Sequence, residues 1–446
     1  MSTLSHVQPY DDGLSVDYPE THRVLTQRLG IVDWLFAIYL AVYLTTGKYY
    51  FIANYYFIFL LVLLVVSGRS YGVEKLPEFW VIVGLVLWDY VTAFLSEYFA
   101  LCISMAWYET KIYGGFFVFL LICNSLPKLK AFMLMQIVGT FIVAVMGAVA
   151  GFSVVESGGE RTTALQAEPN AFGWMITYAV ISALIIRPVT KGFWKTATLV
   201  FFGFAAVALL ASGSRGSAIA AFSVAVFYFL LEHVGSFRSN WKMFLPAAAA
   251  MIIPLIVAVM FFPNSPLVVR MRTTLSGSSE DVAMAGRDTL IIEAFDFFKA
   301  HPIFGIGVGA YAGYTGGRAV SAHNAYMELL SNTGLVGFSL YFLMVGLAYM
   351  RMRRLSKYFA ADNAMRKMFK AAQAGILALL VLGLFNEINR RLIPNMVLAM
   401  LIGFSARLMW ALQHDAAYQF YRHETAEEQA PPLPADSPLP KPVLPS

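Results

Sequence analysis

The chain has 446 residues, of which 59% are hydrophobic and 13% are charged. A soluble domain has about 25% charged residues, so this composition and the mean hydropathy of +0.64 exclude a large soluble core and indicate a polytopic membrane protein. The net charge of +5 is weak evidence for nucleic-acid binding, because the basic residues are predicted to lie in loops on one side of a membrane. Cys102 and Cys123 show neither a disulfide framework nor metal-ligand spacing, and we interpret them as small packing residues.

The N-terminal segment is polar, and it lacks a basic stretch followed by a short apolar core. No cleavable signal peptide is therefore expected, and the first apolar segment is predicted to be an uncleaved anchor. A spanning helix needs about 20 mostly apolar residues, which predicts twelve spans in an all-α polytopic membrane fold. The predicted spans are 31–47, 49–67, 78–98, 110–126, 131–152, 171–187, 196–212, 217–234, 244–262, 332–350, 371–386 and 393–413.

Lysines and arginines predict the orientation of these spans. With both termini in the cytoplasm, the inner loops hold sixteen basic residues and the short outer loops hold six. The chain then divides into a cytoplasmic N-terminal tail, nine spans, one large periplasmic loop containing short helices, three spans and a cytoplasmic Pro-rich tail. These segments are 1–30, 31–262, 263–331, 332–413 and 414–446. The tail ends in PPLPADSPLPKPVLPS, which is typical of an extended, disordered segment.

Arg215 lies in the segment SGSRGS at the outer end of the seventh predicted span. A guanidinium at that depth costs several kcal/mol unless it is paired or faces water, and it can bind phosphate oxygens with two parallel hydrogen bonds. The flanking small residues predict a backbone that a ligand can approach closely, with hydroxyl and amide groups available for hydrogen bonds. The alternative is an interfacial turn whose arginine reaches lipid headgroups.

Asp89 lies in the middle of the third predicted span, and Ser96 and Glu97 follow on one broad side of the same helix. An acid at mid-membrane predicts a functional site. It is equally consistent with a carboxylate that is buried against an arginine such as Arg215 and holds helices together. Both interpretations stay open.

The stretch from Gly286 to Gly337 is the core of the long polar interruption between the ninth and tenth spans. Residues 288–301 predict an amphipathic helix along the membrane surface. Arg287 lies at the start of that helix, where free amides favour anions. The segment HPIFGIGVG then places three glycines at alternate positions. That spacing does not match a dinucleotide-binding loop, and it predicts a tight turn that returns the loop to the membrane.

A His-Asn pair, His323 and Asn324, stands just before the tenth predicted span. The nearest other histidine, His301, is 22 residues away, so a zinc site is not expected. No nucleophile elbow is present for a Ser-His-Asp hydrolase. We interpret His323 as a group that takes or gives a proton near neutral pH, with a helix-capping role as the alternative. Asn324 and Glu328 share a helix face as supporting residues.

The run from Arg287 through HPIFGIGVGAY to HNAYMELLSNTGLVGF, together with SGSRGS, resembles the O-antigen ligase superfamily of ligases and polysaccharide polymerases. The resemblance implies a GT-C-like membrane fold and a metal-independent, inverting glycosyltransferase without a cofactor. It implies that Arg215 and Arg287 hold the pyrophosphate of an undecaprenyl-pyrophosphate-linked glycan, and that His323 is the general base. The active site would face the periplasm from the bacterial inner membrane.

The expected partners are that donor, an acceptor, membrane lipids and polysaccharide-assembly proteins, and not nucleic acid. The acceptor would be lipid A–core for an O-antigen ligase, or a lipid-linked glycan for an O-antigen or exopolysaccharide polymerase. Both enzymes need the same donor site, so the sequence leaves them open. The alternative from another class is a transporter or lipid-linked glycan flippase. Such transporters often contain two related halves, and the sequence shows no such duplication.

Overall fold

The computed structural model describes residues 19–46, 76–157, 169–237, 260, 263–276, 282–317, 321–386, 388 and 392–429. Within these ranges the chain forms fourteen α-helices and no strand. The helices are α1 Pro19–Thr26, α2 Ile31–Thr46, α3 Pro77–Leu95, α4 Phe99–Ile122, α5 Leu126–Ser157, α6 Pro169–Ile186, α7 Phe193–Ser212, α8 Arg215–Phe237, α9 Pro266–Ser276, α10 Val282–Ala300, α11 Tyr311–Tyr314, α12 Ala325–Tyr358, α13 Asn363–Gly383 and α14 Leu392–Gln429.

Seven helices of the described part are long and apolar enough to cross a membrane, namely α3, α5, α6, α7, α8, α12 and α14. The pair α1 and α2, bent by 46°, would add an eighth span if it crosses as one unit. The α-helical polytopic membrane fold is thus confirmed, whereas the count of twelve spans and the GT-C-like fold stay predictions. Predicted span 49–67, and 244–262 apart from Met260, lie outside the described residues.

Two helices extend beyond the predicted segments. Helix α12 contains the predicted tenth span 332–350 and begins earlier, at Ala325, because the Asn324 side chain accepts the free N–H groups of Tyr326 and Met327 at 3.0 and 3.1 Å. The boundary of the outer loop at residue 331 stays a prediction. The tail was expected to be extended from residue 414, but α14 continues to Gln429, since no proline or glycine interrupts the segment before that point.

Helix α12 is broken at Gly334, whose φ of 64° and ψ of −167° are not helical. The loop that follows α10 packs into this break, and the backbone groups that the break frees are bonded there or to α3. A side chain at Gly334 would collide with the carbonyl of Ile303, so the close approach requires glycine. The hydrogen bonds are Ile306 N–H to Ser331 O at 2.8 Å, Gly307 N–H to Asn332 O at 2.9 Å, Leu335 N–H to Pro302 O at 2.9 Å and Trp88 Nε1–H to Thr333 O at 2.8 Å.

The HPIFGIGVG segment forms the tight turn that its glycines predict. Gly305, Gly307 and Gly309 have φ values of 72°, 108° and 78°. The hydroxyl of Ser96, just after α3, donates to the Ile306 carbonyl at 2.7 Å. The turn is thus tied to α3 on one side and to α12 on the other, and it holds the loop against the helix bundle.

The bundle has two ends, which we name after His323, just before α12, and Arg354, in the last turns of α12. The His323 end is where α8 and α12 begin and α7 and α13 finish; the Arg354 end is where α12 finishes. The Arg354 end is joined by ion pairs between helices. They are Arg351–Glu78 at 2.6 Å, Arg366–Glu232 at 2.8 Å, Lys370–Glu232 at 3.2 Å, Lys128–Asp33 at 3.2 Å and Arg407–Glu20 at 2.9 Å.

Candidate functional site

The SGSRGS segment is a short turn, because α7 ends at Ser212 and α8 begins at Arg215. Ser214 and Ser217 are buried, and their hydroxyl oxygens lie 2.8 Å apart. They pack against Gly173 of α6, where a Cβ would come within 2.7 Å of the Ser217 hydroxyl. The two hydroxyls bond to each other, and Thr177 of α6 donates to the Ser217 carbonyl at 3.1 Å, which joins α6 to α8. Binding of a ligand by these serine hydroxyls stays a prediction. Arg215 itself is half-buried at the start of α8.

A further arginine reaches this turn. The Nη1 of Arg270 in α9 donates to the carbonyl of Gly213 at 3.1 Å. Helix α9 begins after the fully buried Ser265 and packs on α7 and α8, so Arg270 is held half-buried, whereas Arg272 is exposed. Sequence reasoning missed Arg270 because neither arginine of the segment PLVVRMRTT belongs to a recognisable motif. The structure thus brings two guanidinium-bearing residues to the SGSRGS turn.

His323 has an unusual backbone conformation. Its φ is 51°, and among the described residues it is the one non-glycine residue with a positive φ. Left-handed backbone costs a side-chain-bearing residue about 1–2 kcal/mol, and such strain concentrates at functional sites. Ser321 supports the conformation, because its hydroxyl accepts the His323 N–H at 3.1 Å and lies 3.4 Å from Nδ1. The imidazole is half-buried.

Asn324 takes the capping role that was the alternative for His323. Its Oδ1 accepts the first N–H groups of α12, and its Nδ2 donates to the Leu384 carbonyl at 3.1 Å. The next residue, Phe385, packs against Gly216 of the SGSRGS turn, where a Cβ would lie 2.5 Å from the Phe385 Cβ. The SGSRGS turn and the His-Asn pair therefore contact two consecutive residues after α13, Phe385 and Leu384.

Arg287, which begins the long motif run of the sequence, lies on helix α10. The helix begins at Val282, so the expectation that Arg287 stands at free N-terminal amides is wrong. One turn further along α10, the Leu290 carbonyl accepts the Tyr311 hydroxyl at 2.9 Å. Leu290 and Met327, from the first turn of α12, pack in the same hydrophobic cluster. The helix of Arg287 therefore adjoins the beginning of α12.

The acidic residues proposed as supporting groups are buried. Glu328 is 1% exposed and accepts a hydrogen bond from the Asn332 side chain at 3.4 Å. Asp89 is 2% exposed within α3. Ser96 and Glu97, expected on the same side of that helix, lie beyond its end, so the predicted three-residue face is not formed.

Glu97 instead contacts the outer loop. Burial, and then the hydrogen-bonded Glu97 carboxylate, raise the pKa of Tyr314, so the phenol stays protonated and can donate. Tyr314 and Tyr98 rings pack edge to face, with their centroids 4.8 Å apart. In the part of the chain described, no group of three or more His, Cys, Asp or Glu side chains is arranged to hold a metal ion.

The family model described as O-Antigen ligase matches residues 200–342. That range includes the SGSRGS turn, α9, α10 and the His-Asn pair. No curated protein matches the chain. The match and the apolar helices support a multi-pass bacterial membrane protein and an enzyme of the O-antigen ligase or polymerase type. The predicted resemblance to the O-antigen ligase superfamily is thereby confirmed for residues 200–342.

Proposed function

We propose that the chain is a membrane glycosyltransferase that moves a glycan from undecaprenyl pyrophosphate to an acceptor on the periplasmic face of the inner membrane. The acceptor we assign is lipid A–core, which makes the protein an O-antigen ligase. The observation that carries the proposal is the meeting of two motif segments after α13. Gly216, next to Arg215, packs on Phe385, and Asn324, next to His323, bonds to the Leu384 carbonyl.

The donor pyrophosphate is assigned to Arg215 and Arg287, with Arg270 as a third cation. A guanidinium has five N–H donors, so Arg270 can hold the Gly213 carbonyl and a phosphate oxygen together. Charge accumulates on the pyrophosphate as its bond to the sugar breaks. Fixed arginines in a partly buried site stabilise that charge more than water does, which lowers the barrier to transfer.

His323 is assigned as the general base. Because Nδ1 lies beside the Ser321 hydroxyl, Nε2 is the nitrogen that we assign to the acceptor. As Nε2 takes the proton of an acceptor hydroxyl, the oxygen attacks the anomeric carbon from the face opposite the pyrophosphate. The carbon–oxygen bond to phosphate breaks, its electron pair leaves with undecaprenyl pyrophosphate, and the anomeric configuration inverts. The donor is already activated, so the reaction needs neither a cofactor nor a metal ion.

The test is transfer by the purified protein, reconstituted with undecaprenyl-pyrophosphate-linked glycan and lipid A–core without added metal. Loss of a single charge-stabilising donor typically reduces the rate about 100–1,000-fold, so Arg215→Ala should fall in that range. Arg270→Ala should also lose activity. Arg272→Ala is the matched control, because Arg272 is exposed on the same short helix and should transfer normally.

Two results would contradict the assignment. One is full transfer by both Arg215→Ala and Arg270→Ala. The other is an equal loss in Arg272→Ala, which would mean that any charge change in α9 impairs the protein.

A polymerase that joins lipid-linked repeat units is the alternative, because the matching family description is compatible with both enzymes. The acceptor separates them. Transfer to lipid A–core alone supports the ligase, and transfer only to a second lipid-linked glycan supports the polymerase. A deletion strain gives the same distinction. Bare core with accumulated lipid-linked polymer indicates a ligase, and a single repeat on the core without a ladder indicates a polymerase.

A further inference from the structure

A cavity of about 310 Å³ lies between α12 and α14 at the Arg354 end. About thirty residues separate it from His323, which is roughly 45 Å measured along α12 at 1.5 Å per helical residue. The cavity therefore does not belong to the proposed transfer site. Its lining residues are Arg354, Leu355, Tyr358, Met409, Leu412, Gln413 and Ala416.

The lining of the cavity combines apolar side chains with one cationic side chain. Leu355, Met409, Leu412 and Ala416 supply apolar walls. Arg354 is exposed and carries the cationic group of the lining. Both helices are long and apolar enough to cross a membrane, and in a bilayer a cavity between them would be next to lipid. Cavities of about 300–1,000 Å³ are large enough to hold small ligands, and an acyl chain fits apolar walls of this kind.

The charge around the cavity is positive. Arg353, Arg354 and Lys357 are exposed on the last turns of α12, and within the described part of the chain none of the three forms an ion pair. Among the described residues, the acids at this end are already engaged, and Asp362 caps α13 by accepting the N–H groups of Ala364 and Met365. Glu78 binds Arg351, Glu232 binds Arg366 and Lys370, Glu20 binds Arg407, Asp33 binds Lys128, and Asp415 accepts the N–H groups of Glu20 and Thr21.

We propose that this cavity is a binding site for one anionic phospholipid. An acyl chain lies between α12 and α14, and the phosphate is bound by Arg354 with Lys357 one turn away. Basic pockets between spanning helices are suited to anionic headgroups, because the local charge adds to the burial of the chain. A zwitterionic phospholipid supplies the same chain without the net negative charge. This site is independent of the glycan transfer reaction.

The test is native mass spectrometry of the full-length protein in detergent, with equal amounts of phosphatidylglycerol and phosphatidylcholine. The wild type should retain one phosphatidylglycerol in preference to phosphatidylcholine. Arg354→Gln should reduce that preference about fivefold. One basic side chain near an anionic lipid contributes about 1 kcal/mol to binding, which corresponds to about fivefold in affinity. Ala416→Trp should lose the bound lipid, because the indole fills the cavity. Lys195→Gln, an exposed charge at the same end, is the control and should behave like the wild type.

Arg354 is exposed, so Arg354→Gln is expected to fold normally, and its thermal unfolding midpoint should equal that of the wild type. This variant keeps the proposal testable even if Ala416→Trp disturbs packing. Equal retention of both lipids by the wild type would overturn the proposal. So would unchanged phosphatidylglycerol retention in Arg354→Gln and Ala416→Trp. The proposal would also be overturned if the protein without lipid is a dimer and its Ala416→Trp variant is a monomer. That result would assign the cavity to a second copy of the chain.

Discussion

The two ends of the bundle are built from different interactions. At the Arg354 end, carboxylates and basic side chains join one helix to another, as in Glu78 with Arg351 at 2.6 Å. At the His323 end, side chains bond to backbone carbonyls where helices stop or break. Asn324 holds Leu384, Arg270 holds Gly213, and the indole of Trp88 holds the carbonyl of Thr333.

The difference teaches what each end can contribute. An ion pair joins two helices, but the two charges that form it neutralise each other and are not available to bind a ligand. Bonds to backbone carbonyls fix the shape of a turn through a side-chain amide, an indole or one arm of a guanidinium. The His323 end also contains the left-handed His323 and the broken α12, which regular helices would not produce. We therefore expect substitutions at the His323 end to reduce transfer, and substitutions in the ion pairs of the Arg354 end to reduce stability.

The largest effect is expected from His323→Ala. Removal of a general base costs about 100–10,000-fold in rate, and the initial rate of glycan transfer measures it. Stability should change little, because alanine must adopt the same left-handed backbone. His301→Ala is the matched control, since His301 is exposed in the same loop and should keep full activity. Wild-type activity in His323→Ala would refute the general-base role.

At the other end, Glu78→Gln should destabilise the protein by about 3–5 kcal/mol, because Arg351 is left as a largely buried charge without its carboxylate. The thermal unfolding midpoint in detergent measures the loss. Transfer per folded molecule should stay normal. Adding Arg351→Met should recover much of the stability, since removing both partners of a buried pair is often nearly neutral. No recovery in the double variant would show that the pair is not the cause.

Gly334→Ala should cost about 1–3 kcal/mol through backbone strain, and it should also loosen the loop, because a methyl group would meet the Ile303 carbonyl. Both the unfolding midpoint and the transfer rate should fall. Gly346→Ala, also in α12 but with open space around it, is the control and should be neutral or slightly stabilising. Equal behaviour of the two variants would mean that the loop does not depend on the break.

The smallest effect is expected from Asn324→Ala. Loss of a helix cap costs about 0.5–2 kcal/mol, and the bond to Leu384 is lost as well. Asn324→Asp keeps the cap but removes the amide donor, so it should restore stability without restoring the contact with α13. If Asn324→Asp transfers glycan as well as the wild type, the contact with Leu384 does not position the site.

Much of the helical fold could be predicted from sequence, because an apolar segment of spanning length has few other structures available in lipid. The tight turn at HPIFGIGVG was predictable from its glycines. The break at Gly334 was not, because a lone glycine inside LLSNTGLVGF looks like any small residue in a span. The break depends on the loop that packs into it, which lies about thirty residues earlier in the chain.

The candidate site was only partly predictable for the same reason. His323 and Arg215 were visible because histidine and arginine are rare beside apolar segments. Arg270 became visible only through its bond to Gly213, and the capping role belongs to Asn324 instead of His323. The burial of Ser214 and Ser217 beside Gly173 of α6 was not visible in the sequence. Which neighbour a small polar residue faces is decided by packing between distant segments.

The loop in the break of α12 also limits how the protein can move. If residues 302–307 lifted away, the carbonyls of Ser331 and Asn332 would lose the hydrogen bonds that Ile306 and Gly307 donate. The buried amides of Ile306 and Gly307 should accordingly exchange with solvent more slowly than the amide of Gly317, which is hydrogen-bonded to Ala312 but lies in an exposed turn.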